Sequence, residues 1–191
     1  MLHEVKFLSY NERDHVYGWI YVPACQPKGV VQLVHGFGEH SRRYLHMIVK
    51  LMDAGFIVAA DDHVGHGKTA LENDTWGDWG TKGCQTMMED EHLLKGVVQE
   101  KYPEIPYFMF GHSMGSLVLR DYIVDHGTDI DGAILSGTVG GKYPLKQGIA
   151  LTEFTARFKG GRSRRESLKD AIMIETKLEI FHAAICALRG K

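Results

Sequence analysis

Four short, nearly uniform apolar runs constrain this chain more than any other feature: Gly29-Val30-Val31-Gln32-Leu33-Val34-His35, Phe56-Ile57-Val58-Ala59-Ala60, Tyr107-Phe108-Met109-Phe110 and Ala133-Ile134-Leu135. Runs of this length without polar alternation suit strands, and the first two suit strands covered on both faces, as in a parallel sheet. Helical patterns lie between them. Tyr44, Met47, Ile48, Leu51 and Met52 fall at i, i+3, i+4, i+7 and i+8, one face of a helix closed by Gly55. Thr86-Met87-Met88-Glu89 has capping-box spacing and predicts a helix from there to about Lys101, stopped by Pro103 and Pro106. A third helix, with Leu117, Val118, Tyr122 and Ile123 apolar, follows residue 113 and ends at Gly127. Parallel strands need crossovers, so this alternation predicts an α/β architecture with helices on both faces of a mostly parallel sheet.

Two β-rich segments precede these runs, at 2–9 and 16–22. The polar stretch Asn11-Glu12-Arg13-Asp14 between them suits a hairpin turn and predicts an antiparallel pair. The Gly- and Trp-containing stretch 65–83 reads as a loop. Beyond Gly141 the pattern changes: helical periodicity around 149–158 and 168–188 flanks Gly160-Gly161-Arg162-Ser163-Arg164-Arg165, and no further strand is bounded by turn signals.

Composition narrows the function classes. The chain has 191 residues, 44% hydrophobic and 24% charged, which gives one domain with a sizeable core and excludes disordered, collagenous and disulfide-scaffold classes. A net charge of −2 supplies no basic field for a polyanion, so no nucleic-acid partner is expected. Residues 142–191 carry 11 Lys and Arg against 5 Asp and Glu, so the acidic excess belongs to the preceding part. Cys25, Cys84 and Cys186 are odd in number and lack C-x-x-C spacing, signalling neither disulfides nor a metal site. The first twenty residues have no continuous apolar stretch, and no run of eighteen apolar residues occurs anywhere. A cytoplasmic chain with at most peripheral membrane contact is the expectation.

The motif that carries chemistry is Gly111-His112-Ser113-Met114-Gly115, which has G-x-S-x-G spacing between a predicted strand and a predicted helix. A nucleophile elbow needs that context. Ser113 sits on a tight strand-to-helix turn that pushes Oγ into the open, and side chains at Gly111 or Gly115 would collide with neighbouring backbone. The strand ending at His35 runs into Gly36-Phe37-Gly38, a glycine-rich turn. Its Phe37 N–H, with that of Met114, would bracket the oxygen of a tetrahedral intermediate as an oxyanion hole. Gly65-His66-Gly67-Lys68-Thr69 imitates a phosphate-binding loop, but Asp62 stands where its first glycine belongs, and a carboxylate there repels phosphate. Asp61-Asp62-His63 with His66, and His35 with His40, match no established metal-ligand spacing, and the histidines read as satisfied loop residues. Trp76 and Trp79 suit either a pocket mouth or loop packing. The run Arg162–Arg165 reads as a solvated loop.

His35-Gly36-Phe37-Gly38-Glu39-His40-Ser41-x-Arg43-Tyr44, Asp62-His63-Val64-Gly65-His66-Gly67 and Gly111-His112-Ser113-Met114-Gly115, in this order, resemble the monoacylglycerol lipase and lysophospholipase group of α/β-hydrolases, often labelled serine aminopeptidase S33-like. The resemblance covers about residues 5–140. It implies an α/β-hydrolase fold with Ser113 as nucleophile and the Phe37 and Met114 amides as oxyanion hole. The implied reaction is hydrolysis of a lipid carboxylic ester, of lysophospholipid or monoacylglycerol type, through an acyl-enzyme and without cofactor or metal.

It also implies a helical cap and two further strands whose ends deliver the triad Asp and His. Here 78 residues follow Ser113. His126 lies 13 residues along the next helix, roughly 20 Å of rise away, too far to act as base. His182 is the other later histidine, in a stretch without the strand-then-loop setting, and is the low-ranked candidate base. The expectation is therefore residues 1–141 as the N-terminal part of a hydrolase core, 142–191 as a partial cap or divergent helical tail, the C-terminal strands missing, and an activity impaired by the missing triad members. A non-catalytic remnant or lipid-binding module is the alternative. An unpaired sheet edge would favour self-association.

Overall fold

The computed structural model describes residues 1–138, which fall in one compact unit. The expectations for 142–191, His182 and Cys186 among them, lie outside the described residues. Six strands form a single sheet: β1 (Leu2–Leu8), β2 (His15–Tyr21), β3 (Val30–Val34), β4 (Ile57–Asp62), β5 (Tyr107–His112) and β6 (Gly132–Ser136). Their spatial order is β1-β2-β4-β3-β5-β6. β1 pairs antiparallel with β2, and β2 antiparallel with β4; β3, β4, β5 and β6 are mutually parallel. This is the mixed sheet that the run pattern predicts.

Side chains alternate across the sheet because successive Cβ atoms point to opposite faces. Ile20, Val30, Val34, Ile57, Ala59 and Met109 take one face, where they meet Met87, Met88, Leu94 and Val98 of α3 (Cys84–Lys101) and Met114, Val118, Leu119 and Tyr122 of α4 (Met114–His126). Trp19, Tyr21, Val31, Leu33, Val58 and Ala60 take the other, under Ile48, Leu51 and Met52 of α1 (Leu45–Asp53). Each fully buried Leu, Ile or Met contributes about 1.5–3 kcal/mol of hydrophobic stabilisation, so both faces must be covered for the central strands to persist.

Two sequence expectations are corrected. The stretch 65–83 is not all loop: α2 (Gly67–Asn73) is a short helix that buries Thr69 and Ala70. Its Gly67 start and lack of an apolar stripe concealed it. α3 begins at Cys84 after Gly83 and has no side-chain cap, so Thr86 lies inside the first turn, its buried hydroxyl without a hydrogen-bond partner among the described residues. Burial of Met87 and Met88 against the sheet overrides the capping-box signal. Among the described residues no helix is long and apolar enough to cross a membrane.

Candidate active site

Three loops meet at the carboxyl ends of β3, β4 and β5, where an open parallel sheet leaves a crevice for ligands. The first is the β5-to-α4 turn. Ser113 takes φ 53° and ψ −118°, a conformation disfavoured for a residue with a side chain. Its amide donates to the Ser136 carbonyl at 2.9 Å, and its carbonyl accepts from the Ser116 amide at 3.0 Å and the Ser116 hydroxyl at 2.6 Å. The turn is tied to β6 on one side and to the first turn of α4 on the other. Glycine is required on both flanks. A Cβ at Gly115 would run into the carbonyls of Val34 and His35, and one at Gly111 would stand 2.5 Å from the Gly115 carbonyl oxygen.

The second loop leaves β3 through His35 and lies directly against the first. A Cβ on Gly36 would be 3.3 Å from the Ser113 Cβ. Glu39 pins this loop: its Oε1 accepts from the Gly36 amide and from the Tyr44 hydroxyl, both at 2.6 Å, and its Oε2 lies 3.4 Å from Arg43. Burial and the Glu39 carboxylate together hold the Tyr44 hydroxyl well above its ordinary pKa, so it remains a donor. Gly38 takes φ 68°, which turns the chain back toward Glu39. Phe37 is half-buried, edge-on to the His66 ring, and the Met114 side chain is buried in the core.

The third loop follows β4. Asp62 Oδ1 accepts from both the amide and the hydroxyl of Ser41, and Oδ2 accepts from the Lys68 amide at 2.7 Å. The carboxylate thus occupies the N-terminus of α2, the place a phosphate would need. His66 is buried beside Trp79, their rings 6.4 Å apart and nearly parallel, so Trp79 packs in the loop while Trp76 is 41% exposed. His35 donates Nδ1–H to the Gly36 carbonyl at 2.7 Å and accepts the His63 amide on Nε2 at 3.1 Å. Burial pushes the pKa of both His35 and His63 well down, keeping them neutral.

Ser113, Gly36, Phe37, Gly38, Gly111, Met114 and Gly115 therefore come together at one end of the sheet. Ten of the eleven histidines are described, and among the described residues none is hydrogen-bonded to Ser113 Oγ. His112 Nδ1 lies 3.3 Å from the Ser136 hydroxyl. His126 closes α4, stacked on His92 at 4.0 Å and 3.5 Å from Glu89, remote from Ser113 as its helical spacing requires. Sequence reasoning missed the bracing roles of Glu39 and Asp62. A faint signal existed in Glu39, a carboxylate three residues after a glycine with an amide to satisfy.

The family model for serine aminopeptidase S33 matches residues 25–172. This chain belongs to that hydrolase family. The monoacylglycerol lipase of Mycolicibacterium smegmatis is 32% identical over 118 residues, covering 62% of this chain and 40% of that enzyme. A thermostable carboxyl esterase from Bacillus coagulans, solved with glycerol, superposes with a TM-score of 0.81 at 52% identity, covering 90% of this chain and 56% of that one. A soluble variant of the Saccharomyces cerevisiae monoglyceride lipase, solved with a substrate analogue, gives 0.65 at 25% identity, covering 83% and 52%. The chain spans 36–40% of the length of the curated relatives it matches from M. smegmatis, monkeypox virus and rat, a monoacylglycerol lipase, a monoglyceride lipase homologue and a monoglyceride lipase. The likeness supports the α/β-hydrolase fold and a place among monoglyceride lipase-like and esterase-like members.

Proposed function

We propose that this chain supplies the nucleophile elbow and oxyanion loop of a serine hydrolase that cleaves carboxylic esters of lipids, of monoacylglycerol or lysophospholipid type. The observation that carries this reading is Ser113 held at φ 53° between β5 and α4, with the Gly36 loop packed against its Cβ. The names of the relatives, monoglyceride lipases and a carboxyl esterase, support the substrate class.

In the proposed reaction Ser113 Oγ attacks the ester carbonyl carbon while a general base takes its proton. The carbonyl electrons move onto oxygen, which the Phe37 and Met114 amides stabilise. Collapse expels the alcohol, which takes the proton back from the base, and leaves an acyl group on Ser113. Water attacks this acyl-enzyme by the same route and releases the fatty acid. Each oxyanion donor contributes roughly 3–4 kcal/mol in the transition state. Neither metal nor cofactor enters these steps.

The base lies outside residues 1–138, and within this chain His182 is the remaining histidine. Without a base the seryl hydroxyl is a poor nucleophile, and catalysis falls to the roughly 10³–10⁴-fold over water that binding and the oxyanion hole provide. The absence of a histidine bonded to Ser113 among the described residues favours a second reading, a non-catalytic module that keeps the pocket. Intact-mass detection of fluorophosphonate labelling decides between them. An adduct lost in Ser113→Ala supports the hydrolase, and its additional loss in His182→Ala assigns the base. No adduct on folded chain supports the non-catalytic module.

A further inference from the structure

Beneath the active-site loops, between β3, β4 and α3, four polar side chains are completely buried: Gln32, Asp61, His63 and Glu91. Two carboxylates removed from water demand an explanation, because an uncompensated buried charge is very costly. The hydrogen bonds supply one. Gln32 Oε1 accepts from the Tyr107 hydroxyl, which orients its amide so that Nε2 donates to the Glu91 carbonyl at 2.9 Å and to Glu91 Oε2. Glu91 Oε1 receives no such donor; it faces His63 Nδ1 at 3.3 Å. On the far side of that ring, His63 Nε2 lies 3.2 Å from the His35 carbonyl, and a carbonyl only accepts. Nε2 must therefore carry the proton, which leaves Nδ1 of a neutral ring as an acceptor aimed at Glu91.

We propose that Glu91 is a positioning residue: as the neutral acid it donates Oε1–H to His63 Nδ1, fixing the His63 tautomer that grips the His35 carbonyl. The His35–Gly36 peptide is then held at both ends, its carbonyl by His63 and its amide by Glu39. The next peptide, which carries the Phe37 N–H, is held in turn by His35, whose Nδ1–H donates to the Gly36 carbonyl at 2.7 Å. That consequence for catalysis rests on the hydrolase reading; the proton placement does not. Asp61 completes the cluster. Its two carboxyl oxygens are buried without a hydrogen-bond partner among the described residues, Oδ2 lying 3.9 Å from His63 Nδ1.

The surroundings agree with a neutral cluster. Burial raises the Glu91 carboxyl to about 8, Asp61 is raised by burial and by its crowding with the acidic side chains of Glu91, Asp90 and Asp62, and His63 is lowered by burial. The titratable groups facing the cluster are Asp61 and Asp62 on β4, Asp90 on α3, His35 after β3, His66 in the loop after β4, Tyr107 on β5 and Tyr122 on α4. None brings a fixed positive charge. Asp61, His63 and Glu91 also have the separations of a three-residue cation site, with His63 Nδ1 3.9 Å from Asp61 Oδ2. A proton between Glu91 Oε1 and His63 Nδ1 satisfies that pair of atoms without a cation.

The test combines imidazole ¹⁵N spectroscopy with variants at Glu91. In the unmodified chain at pH 6.5 the His63 ring should show a protonated Nε2 and an unprotonated, hydrogen-bonded Nδ1. Glu91→Gln keeps a donor to Nδ1 and should leave that signature intact, with Ser113 labelling within about twofold, whereas Glu91→Leu should slow labelling about tenfold by loosening the loop. An imidazolium or Nδ1–H tautomer at His63 would overturn the proposal. So would Glu91→Gln behaving like Glu91→Leu, or one equivalent of metal that Glu91→Gln releases. If the unmodified chain does not label, the hydrolase reading fails, while the ¹⁵N signature still decides the proton placement.

Discussion

Asp62 holds Ser41 twice through a single oxygen: Oδ1 accepts the Ser41 amide at 2.8 Å and the Ser41 hydroxyl at 2.7 Å. With Oδ2 on the Lys68 amide, one buried carboxylate stitches the loop after β3 to the start of α2. Hydrogen bonds to a charged acceptor contribute about 1.5–3 kcal/mol each, and their loss is not additive. Asp62→Ala is expected to lower the unfolding free energy by about 3 kcal/mol, read from the urea midpoint. A change under about 0.5 kcal/mol would show that the bonds contribute nothing net.

Gly115 has a different sensitivity, because there the obstacle is backbone. Gly115→Ala places a methyl group against the carbonyls of Val34, the last residue of β3, and of His35 directly after it, which cannot move independently of the sheet. Overpacking of this kind costs about 1–3 kcal/mol or more. Thermal unfolding should show a lower midpoint for Gly115→Ala, whereas Gly96→Ala in α3, where a Cβ meets nothing within 4 Å, should match or exceed the unmodified chain.

The strain at Ser113 is measurable without any substrate. A side chain at φ 53° and ψ −118° costs on the order of 1–3 kcal/mol, part of which glycine regains and part of which it loses as backbone entropy. Ser113→Gly should therefore unfold at higher urea than Ser113→Ala by about 1 kcal/mol. Equal midpoints would mean that the elbow stores no strain.

Stability should fall as pH rises from about 4 to about 7. Burial lifts the Asp90 carboxyl to about 7 from an unfolded value of 3.8, against the opposing effect of the Ser9 hydroxyl and Tyr10 amide that it accepts. In that window the folded state binds a proton the unfolded state has released, so raising the pH favours unfolding. The Asp90 contribution is fully present below the unfolded value and is lost through the folded one, on the order of 4 kcal/mol in all. Asp90→Asn should flatten the slope of unfolding free energy against pH over this range. An unchanged slope would place the titration elsewhere.

The strands were legible because burial on both faces leaves a mark that needs no partner information: 30–34, 57–60 and 107–110 are mostly apolar whichever strand lies beside them. The Gly36 loop and the Ser113 elbow were legible because glycine is forced wherever backbone crowds backbone. α2 was not, since a seven-residue helix held by a distant Asp62 side chain has no periodicity of its own. Asp62 was read as an obstacle to phosphate; its bonds to Ser41 and Lys68 depend on which loops the sheet brings together. Glu91 offered no signal at all, because a carboxyl two turns along a helix looks solvent-facing until Gln32 and His63 are placed opposite it.

Val34 on β3 stands opposite Gly111 on β5 in the parallel register, so the loop after one strand and the elbow after the other begin one ladder step apart. Adjacent strands are spaced about 4.8 Å by backbone hydrogen bonds, whatever side chains they carry. The distance between the proposed nucleophile and the proposed oxyanion loop is thereby a property of the peptide ladder. Side chains lining the crevice can diverge to suit another acyl group while the alignment that chemistry needs is inherited unchanged.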